Sequence, residues 1–137
     1  MFFKAYVPTK NKKCLMSFKG KSADELLTLD EARKYDEYAG ILDEDTILID
    51  IDDYDHEGNL KFGRALSPIL FKMIEEMDIR CRVYKATRGY HFLFKNKNIK
   101  KCFTGVNLAC GLVADIKVGA SNSYEVLKYK GVEREII

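Results

Sequence analysis

Between Thr46 and Asp52 the chain reads TILIDID, and no other segment restricts the fold as much. Its β-branched, apolar opening marks a buried strand. Side chains alternate faces along a strand, so Asp50 and Asp52 project from one face and Ile51 from the other. Two carboxylates this close repel each other, and a folded chain rarely sets them at a strand end without a cation nearby. Hard oxygen ligands of this kind suit Mg²⁺ or Mn²⁺. Asp53 and Asp55 follow in the turn and could assist. A plain acidic turn after a core strand would be written with the same letters.

The flanking sequence predicts strands and helices in mixed order. Phe2 to Val7 reads as a strand closed by Pro8, and Thr9 to Lys21 as a basic loop with a short strand at Cys14–Phe18. Ser22-Ala23-Asp24-Glu25 is a capping-box pattern that opens a short helix through Leu27. Asp30 to Tyr38 reads as a helix with Asp30 as its cap and Gly40 near its stop. After the polar turn from Asp53 to Gly63 a longer helix is expected, with Ser67 as N-cap, Pro68 at its first position and Leu66 and Phe71 as a hydrophobic staple. Ile69, Leu70, Met73, Ile74 and Met77 recur at helical spacing and are expected to form its packing face. Ile79–Lys85 and Tyr90–Lys95 read as strands around the turn Thr87-Arg88-Gly89. Leu112–Val118 and Ser123–Tyr129 read as two more, and Arg134–Ile137 as the start of another. Strands outnumber helices and join by short turns, so the expected class is α+β: a largely antiparallel sheet with helices on one face.

The length of 137 residues points to one domain spanning 1–137, and 47% hydrophobic residues suffice for its core. No apolar run approaches the roughly 20 residues of a membrane span, and Met1-Phe2-Phe3-Lys4 does not open a secretory signal. A cytoplasmic protein is expected. The net charge of +2 does not announce a nucleic-acid binder, but the charges are segregated. Acids crowd Asp24 to Glu57. Bases dominate the first twenty-one positions and the second half, with a cluster at Lys95, Lys97, Lys100 and Lys101. Such a cluster is either a phosphate contact or an ordinary solvated surface. Cys14, Cys81, Cys102 and Cys110 form no CxxC pair, which argues against zinc. Cys81 reads as a small core residue, and free thiols fit a reducing compartment.

Two further segments stand out. Thr87-Arg88-Gly89-Tyr90-His91 combines a glycine turn, which lets backbone approach a ligand, with a guanidinium fork matched to phosphate and a hydroxyl donor. His91 is one of two histidines and lies among core-type residues, so a satisfied core histidine is the competing reading. In Val113-Ala114-Asp115-Ile116-Lys117, Asp115 interrupts an apolar strand and Lys117 shares its face. An ordinary salt-bridged pair would look the same.

The order ILIDID, TRGYHF, ADIKVG resembles the three motifs of archaeo-eukaryotic primases and primase-polymerases. Those motifs are an apolar–Asp–apolar–Asp strand; a small residue, a spacer and His on a second strand, here Gly89-Tyr90-His91; and an apolar–Asp pair on a later strand. The resemblance covers roughly positions 45 to 130. YAGILDEDTILIDIDD and SYEVLKYKGVEREI look like primase domains fused to helicases in phage and plasmid replication proteins. The resemblance implies an RRM-like catalytic core and two-metal nucleotidyl transfer from a nucleoside triphosphate to a primer or nucleotide 3′-hydroxyl on a DNA template. It implies that Asp50, Asp52 and Asp115 hold Mg²⁺ or Mn²⁺, that His91, Arg88 and Thr87 contact the triphosphate, and that Lys117 contacts phosphate or template. Thr87 stands where many relatives carry Ser or Gly. The chain reaches only Ile137, where relatives usually continue with further strands and helices and often a helicase.

Two other functions compete. One is a non-catalytic primase-like module that binds DNA in a replication initiator. The other is a haloacid-dehalogenase-type phosphatase, whose nucleophile strand also ends Asp-x-Asp. That family expects Thr or Val where Tyr54 stands, a later pair of acids where Asp115 is alone, and a parallel fold for which the chain is short.

Overall fold

The computed structural model describes residues 1–137. Ten strands form two five-stranded sheets in which every pairing is antiparallel. The first sheet contains β1 (Phe3–Lys10), β2 (Lys13–Cys14), β3 (Tyr38–Leu42), β9 (Tyr124–Tyr129) and β10 (Val132–Glu133), in the order β10-β9-β3-β1-β2. The second contains β4 (Thr46–Asp52), β5 (Arg82–Lys85), β6 (Gly89–Lys95), β7 (Phe103–Asn107) and β8 (Val113–Val118), in the order β5-β6-β4-β8-β7. Two α-helices accompany them, α1 (Leu29–Ala32) and α2 (Gly63–Glu76). The class is α+β and mainly antiparallel, as the sequence indicates, but with two sheets in place of one. No helix is long and apolar enough to cross a membrane.

Alternation along β4 decides how the layers stack. Ile49 and Ile51 face α2, where Leu66, Leu70, Phe71 and Ile74 pack with Val83 and Phe92. Leu48 faces the first sheet and shares a core with Leu93, Tyr84, Phe3, Leu42 and Leu127. The second sheet is thus covered by α2 on one face and by the first sheet on the other. Asp50 and Asp52 lie on the face of Leu48, between the sheets, and so does the site.

Several expected boundaries move, each for a physical reason. β1 runs through Pro8 to Lys10, because Pro8 is buried opposite Tyr38 on β3. The strand expected at Cys14–Phe18 shrinks to β2, and Phe18 instead packs against the other face of the first sheet. The Ser22–Glu25 box forms, with Ser22 N–H donating to Glu25 Oε2 at 2.8 Å, but it opens only a 3₁₀ turn at Ala23–Glu25. The helix expected from Asp30 to Tyr38 is α1, capped by Thr28, and Tyr38 and Gly40 lie in β3. Pairing with both β1 and β9 buries Tyr38 to Leu42 completely, which outweighs the weak helical pattern of that stretch. β5 starts at Arg82, leaving Ile79 to Cys81 outside the strand, with Cys81 half-buried against the α2-side core. All four cysteines are free. β7 was not expected: FTGVN is mostly exposed and broken by a bulge, so it carries little apolar periodicity.

The largest shift is in α2, which begins at Gly63 and not after Ser67. Ser67 is buried inside the helix, with Oγ 3.1 Å from Asp53 Oδ1 and 2.9 Å from the Gly63 carbonyl. Asp53 also donates its N–H to the Arg88 carbonyl at 2.7 Å and accepts from Lys61 N–H at 2.7 Å. This knot ties the end of β4 to the helix and holds Pro68 in the helix interior despite its missing N–H. Because the helix rotates to satisfy it, the expected packing face is split. Leu70 and Ile74 pack inward, whereas Ile69, Met73 and Met77 face solvent.

Gly89 on β6 sits opposite Asp52, so tightly that an added Cβ would run into the Ile51 carbonyl and the Asp52 backbone. Gly89→Ala is expected to destabilise the chain by about 1–3 kcal/mol or more through forced separation of β4 and β6. Urea unfolding checks this: a midpoint equal to that of the unsubstituted chain would refute the close packing.

Candidate functional site

The strand register lines the motif residues up. Asp50 pairs with His91 on β6 and with Asp115 on β8, and Tyr84 on β5 extends the row beyond His91. Directly paired residues share a face, here the one turned to the first sheet. Along the same faces Leu48 pairs with Leu93 and with Lys117. One end of the space between the sheets is therefore filled by hydrocarbon and the other by charge.

At the charged end His91 is the hinge of a buried ionic chain. Its Nδ1 lies 2.7 Å from Glu125 Oε2, and its Nε2 lies 3.2 Å from Asp50 Oδ1. Glu125, on β9 of the first sheet, is 3% exposed, and its other oxygen accepts from Arg134 Nη1 at 2.7 Å. The His91–Asp50 contact has ion-pair distance without hydrogen-bond alignment, so Asp50 Oδ1 is buried with no hydrogen-bond partner. Burial disfavours a charged imidazole, but the Asp50 and Glu125 carboxylates outweigh it and raise His91 to about 9. Burial alone would raise Asp50; the opposing pull of His91, aided by Lys117 and Arg134, holds it below its usual range. Asp52 is pushed the other way, by burial and by the charge of Asp50, against the pull of Arg88 and Lys61.

These residues line a cleft of about 210 Å³ together with Lys12, Thr87, Lys117 and Tyr124. Thr87 and Arg88 form the tip of the β5–β6 hairpin. That tip is docked on β4, because the Arg88 carbonyl accepts from both Asp53 and Tyr54 N–H. The Arg88 guanidinium comes within 3.9 Å of Asp52 Oδ2, and its Nε is buried without a partner. The cleft thus has three carboxylates (Asp50, Asp52 and Glu125), four Lys or Arg side chains (Lys12, Arg88, Lys117 and Arg134) besides His91, and two buried polar atoms left unsatisfied. Chemically it can take an anion and a hard cation together.

Not every expected residue joins. Asp115 is beside Asp50 in the sheet, but its Oδ1 accepts from Gly105 N–H at 2.8 Å. It lines an adjacent open groove with Phe103, Asn122 and Ser123, and Lys117 and Tyr124 border both spaces. No three His, Cys, Asp or Glu side chains converge as a ready-made metal cage. Asp53 is spent on Ser67 and Asp55 on the turn, where it accepts from Glu57 and Asn59 N–H. In the basic cluster Lys95 pairs with Asp43 and Asp45, and none of Lys95, Lys97, Lys100 and Lys101 borders the cleft.

Sequence reasoning missed Lys12, Tyr124, Glu125 and Arg134. Glu125 could have been found by the same signal as Asp115, a lone acid within an apolar strand. Arg134 and Lys12 carry no such mark, since a turn and a polar tail bring them in.

The His91 pairing makes stability pH-dependent. Its folded pKa of about 9 stands above the ordinary 6.5, so its contribution is full below about 6.5 and is lost as pH rises through about 9. In chelator-treated protein, the unfolding free energy should fall on the order of 1–3 kcal/mol more between pH 6.5 and 9.5 than it does in His91→Gln. Parallel pH profiles of the two proteins, measured by denaturant titration, would refute the charged pairing. Compared with protein-family models, with curated proteins and with solved structures, the chain matches none.

Proposed function

We propose that this chain is a metal-dependent nucleotidyltransferase domain of the primase-polymerase kind, acting on nucleoside triphosphates and a DNA template. One observation carries the reading: Asp50, Asp52, His91, Arg88, Thr87 and Lys117, drawn from three separate sequence segments, border one cleft. The sheet order adds support. β4–α2–β5–β6 followed by β8, arranged β5-β6-β4-β8, is the order expected of an RRM-like core, except that in chain order the edge strand β7 takes the place of the second helix.

The donor set suits a divalent cation. Asp50 and Asp52 share a face, Asp50 Oδ1 is buried with no hydrogen-bond partner, and burial together with the charge of Asp50 raises the Asp52 carboxyl above its ordinary range. A small hard cation commonly takes one or two carboxylates and completes its shell with phosphate oxygens and water. Asp50 and Asp52 would hold Mg²⁺ or Mn²⁺, and Asp115 could join only by giving up Gly105 N–H. A cation held there would supply charge to offset the carboxylates and the triphosphate and would lower the pKa of a 3′-hydroxyl. The chain's own side chains orient the phosphates. Arg88 presents a fork with an unpartnered Nε, Lys117 and Lys12 supply further positive charge, and His91 offers a donor held from behind by Glu125. Their contribution is positioning and charge stabilisation.

A second reading, a non-catalytic primase-like module that binds DNA, is favoured by the engagement of Asp115 with Gly105. The phosphatase reading loses ground because no strand pair is parallel.

Calorimetric titration of a nucleoside triphosphate with Mn²⁺ tests the choice. The expected result is binding that requires Mn²⁺, lost in Asp50→Asn along with nucleotide incorporation, and weakened roughly 10- to 100-fold in His91→Ala as a charged hydrogen bond is removed. Incorporation by Asp50→Asn at the unsubstituted rate would sink the metal assignment. DNA binding without any triphosphate binding would select the non-catalytic module.

A further inference from the structure

We propose that Glu125 and Arg134 are positioning residues that clamp the His91 ring, so that its Nε2–H is presented to the anionic ligand of the cleft. The proposal rests on the triphosphate reading of that cleft and adds how its histidine is held.

The two residues come from outside the sheet that carries the motifs. Glu125 is on β9 of the opposite sheet, and Arg134 is in the tail after β10. A nearly fully buried glutamate is costly unless charged donors satisfy both of its oxygens. Here one oxygen takes His91 Nδ1 at 2.7 Å and the other takes Arg134 Nη1 at 2.7 Å. Arg134 Nη1 also lies 3.1 Å from His91 Nδ1. An imidazole nitrogen has one in-plane hydrogen-bonding position, and the shorter Glu125 contact fills it. Nδ1 therefore carries a proton donated to Glu125, and Arg134 serves as the counter-charge of the glutamate. With Nδ1 fixed as a donor, the ring turns Nε2 to the side of the cleft where Asp50 lies, 3.2 Å from its Oδ1, and a carboxylate facing each ring nitrogen calls for a proton on both. A partner that fixes the far ring nitrogen is the general way a ligand-binding histidine is oriented.

The tail that delivers Arg134 is stitched to both sheets. Arg134 N–H donates to the Leu127 carbonyl of β9, while Lys85 N–H donates to Glu135 and Ile137 N–H to Val83 on the β5 side. Arg134 is thus the crossing point between the sheets, which makes its side chain a rigid support.

The test uses two readouts on the full chain. Only two histidines are present, so His56→Gln leaves one imidazole to observe by ¹H–¹⁵N correlation in the metal-free, nucleotide-free protein. The expected spectrum shows an exchange-protected Nδ1 proton. Glu125→Gln keeps an acceptor oxygen and should retain that signal. Glu125→Met with Arg134→Met removes the pair together, leaving neither charge buried alone, and should lose it. The second readout is calorimetric binding of inorganic tripolyphosphate with Mg²⁺. The double Met variant is expected to bind roughly 10- to 100-fold more weakly, with His91→Ala on top of it adding nothing further. An unchanged Nδ1 signal in the double Met variant, or fully additive effects with His91→Ala, would overturn the proposal. If the unsubstituted chain binds no tripolyphosphate, the nucleotidyl-transfer reading falls, and the imidazole spectrum alone decides whether the clamp exists.

Discussion

A carboxylate placed between two sheets has to be balanced inside the protein, and the architecture around β4 follows from that requirement at Asp50. The balance is a linear chain, Asp50–His91–Glu125–Arg134, in which acid and base alternate and the formal charges cancel when His91 is protonated. Buried ion pairs of this kind add little net stability, because desolvation offsets most of the attraction. Removing one member is another matter, since it strands its neighbour. The chain therefore acts more as a constraint on geometry than as a source of stability. It demands that β4, β6, β9 and the tail meet at one point.

That demand links the two halves of the molecule. Leu48, Leu93, Tyr84, Phe3 and Leu127 bring the sheets together by burying hydrocarbon, which is nondirectional. The ionic chain next to them is directional and sets the register in which the sheets meet. The Asp53–Ser67–Gly63 knot does the same on the opposite face, where it fixes the rotation of α2 and holds the Arg88 hairpin against β4. The cleft lies between the sheets, beside the ionic chain and under the Arg88 hairpin that the knot holds in place. Its unsatisfied atoms, Asp50 Oδ1 and Arg88 Nε, are of opposite polarity. Such a pairing suits a ligand that brings both a cation and an anion, and a metal-bound polyphosphate is one. The neighbouring groove contains Asp115 and shares Lys117 and Tyr124 with the cleft.

Much of the site was readable because strand alternation is a strict rule. From TILIDID alone Asp50 and Asp52 had to share a face, whereas Gly89, read as a turn glycine that lets backbone approach a ligand, proves to start β6 and to press against the β4 backbone. The positions of Thr87, Arg88, His91 and Lys117 in one cleft agree with that reading. Where reading failed, a tertiary contact had overruled a local preference. Ser67 looked like a helix cap because its hydroxyl and the following proline suit one, yet Asp53 claimed it for the core. Tyr38 looked helical until two neighbouring strands paired with it. Met73 and Met77 looked like core, but the helix turned them outward to bury Leu70 and Ile74.

The sequence by itself determined the chemistry on offer: which strand carries paired carboxylates, which turn carries the arginine, and which residues must lie on the same side, since these depend only on periodicity and residue type. The tertiary structure decided which of those groups meet. The family resemblance made Asp115 the third carboxylate, but the β7 bulge set Gly105 N–H beside it and turned it to another groove. Glu125 and Arg134, from a distant strand and the tail, took places beside His91 instead. Contacts between residues 34 and 43 positions apart follow from how two sheets stack, and no local pattern encodes that.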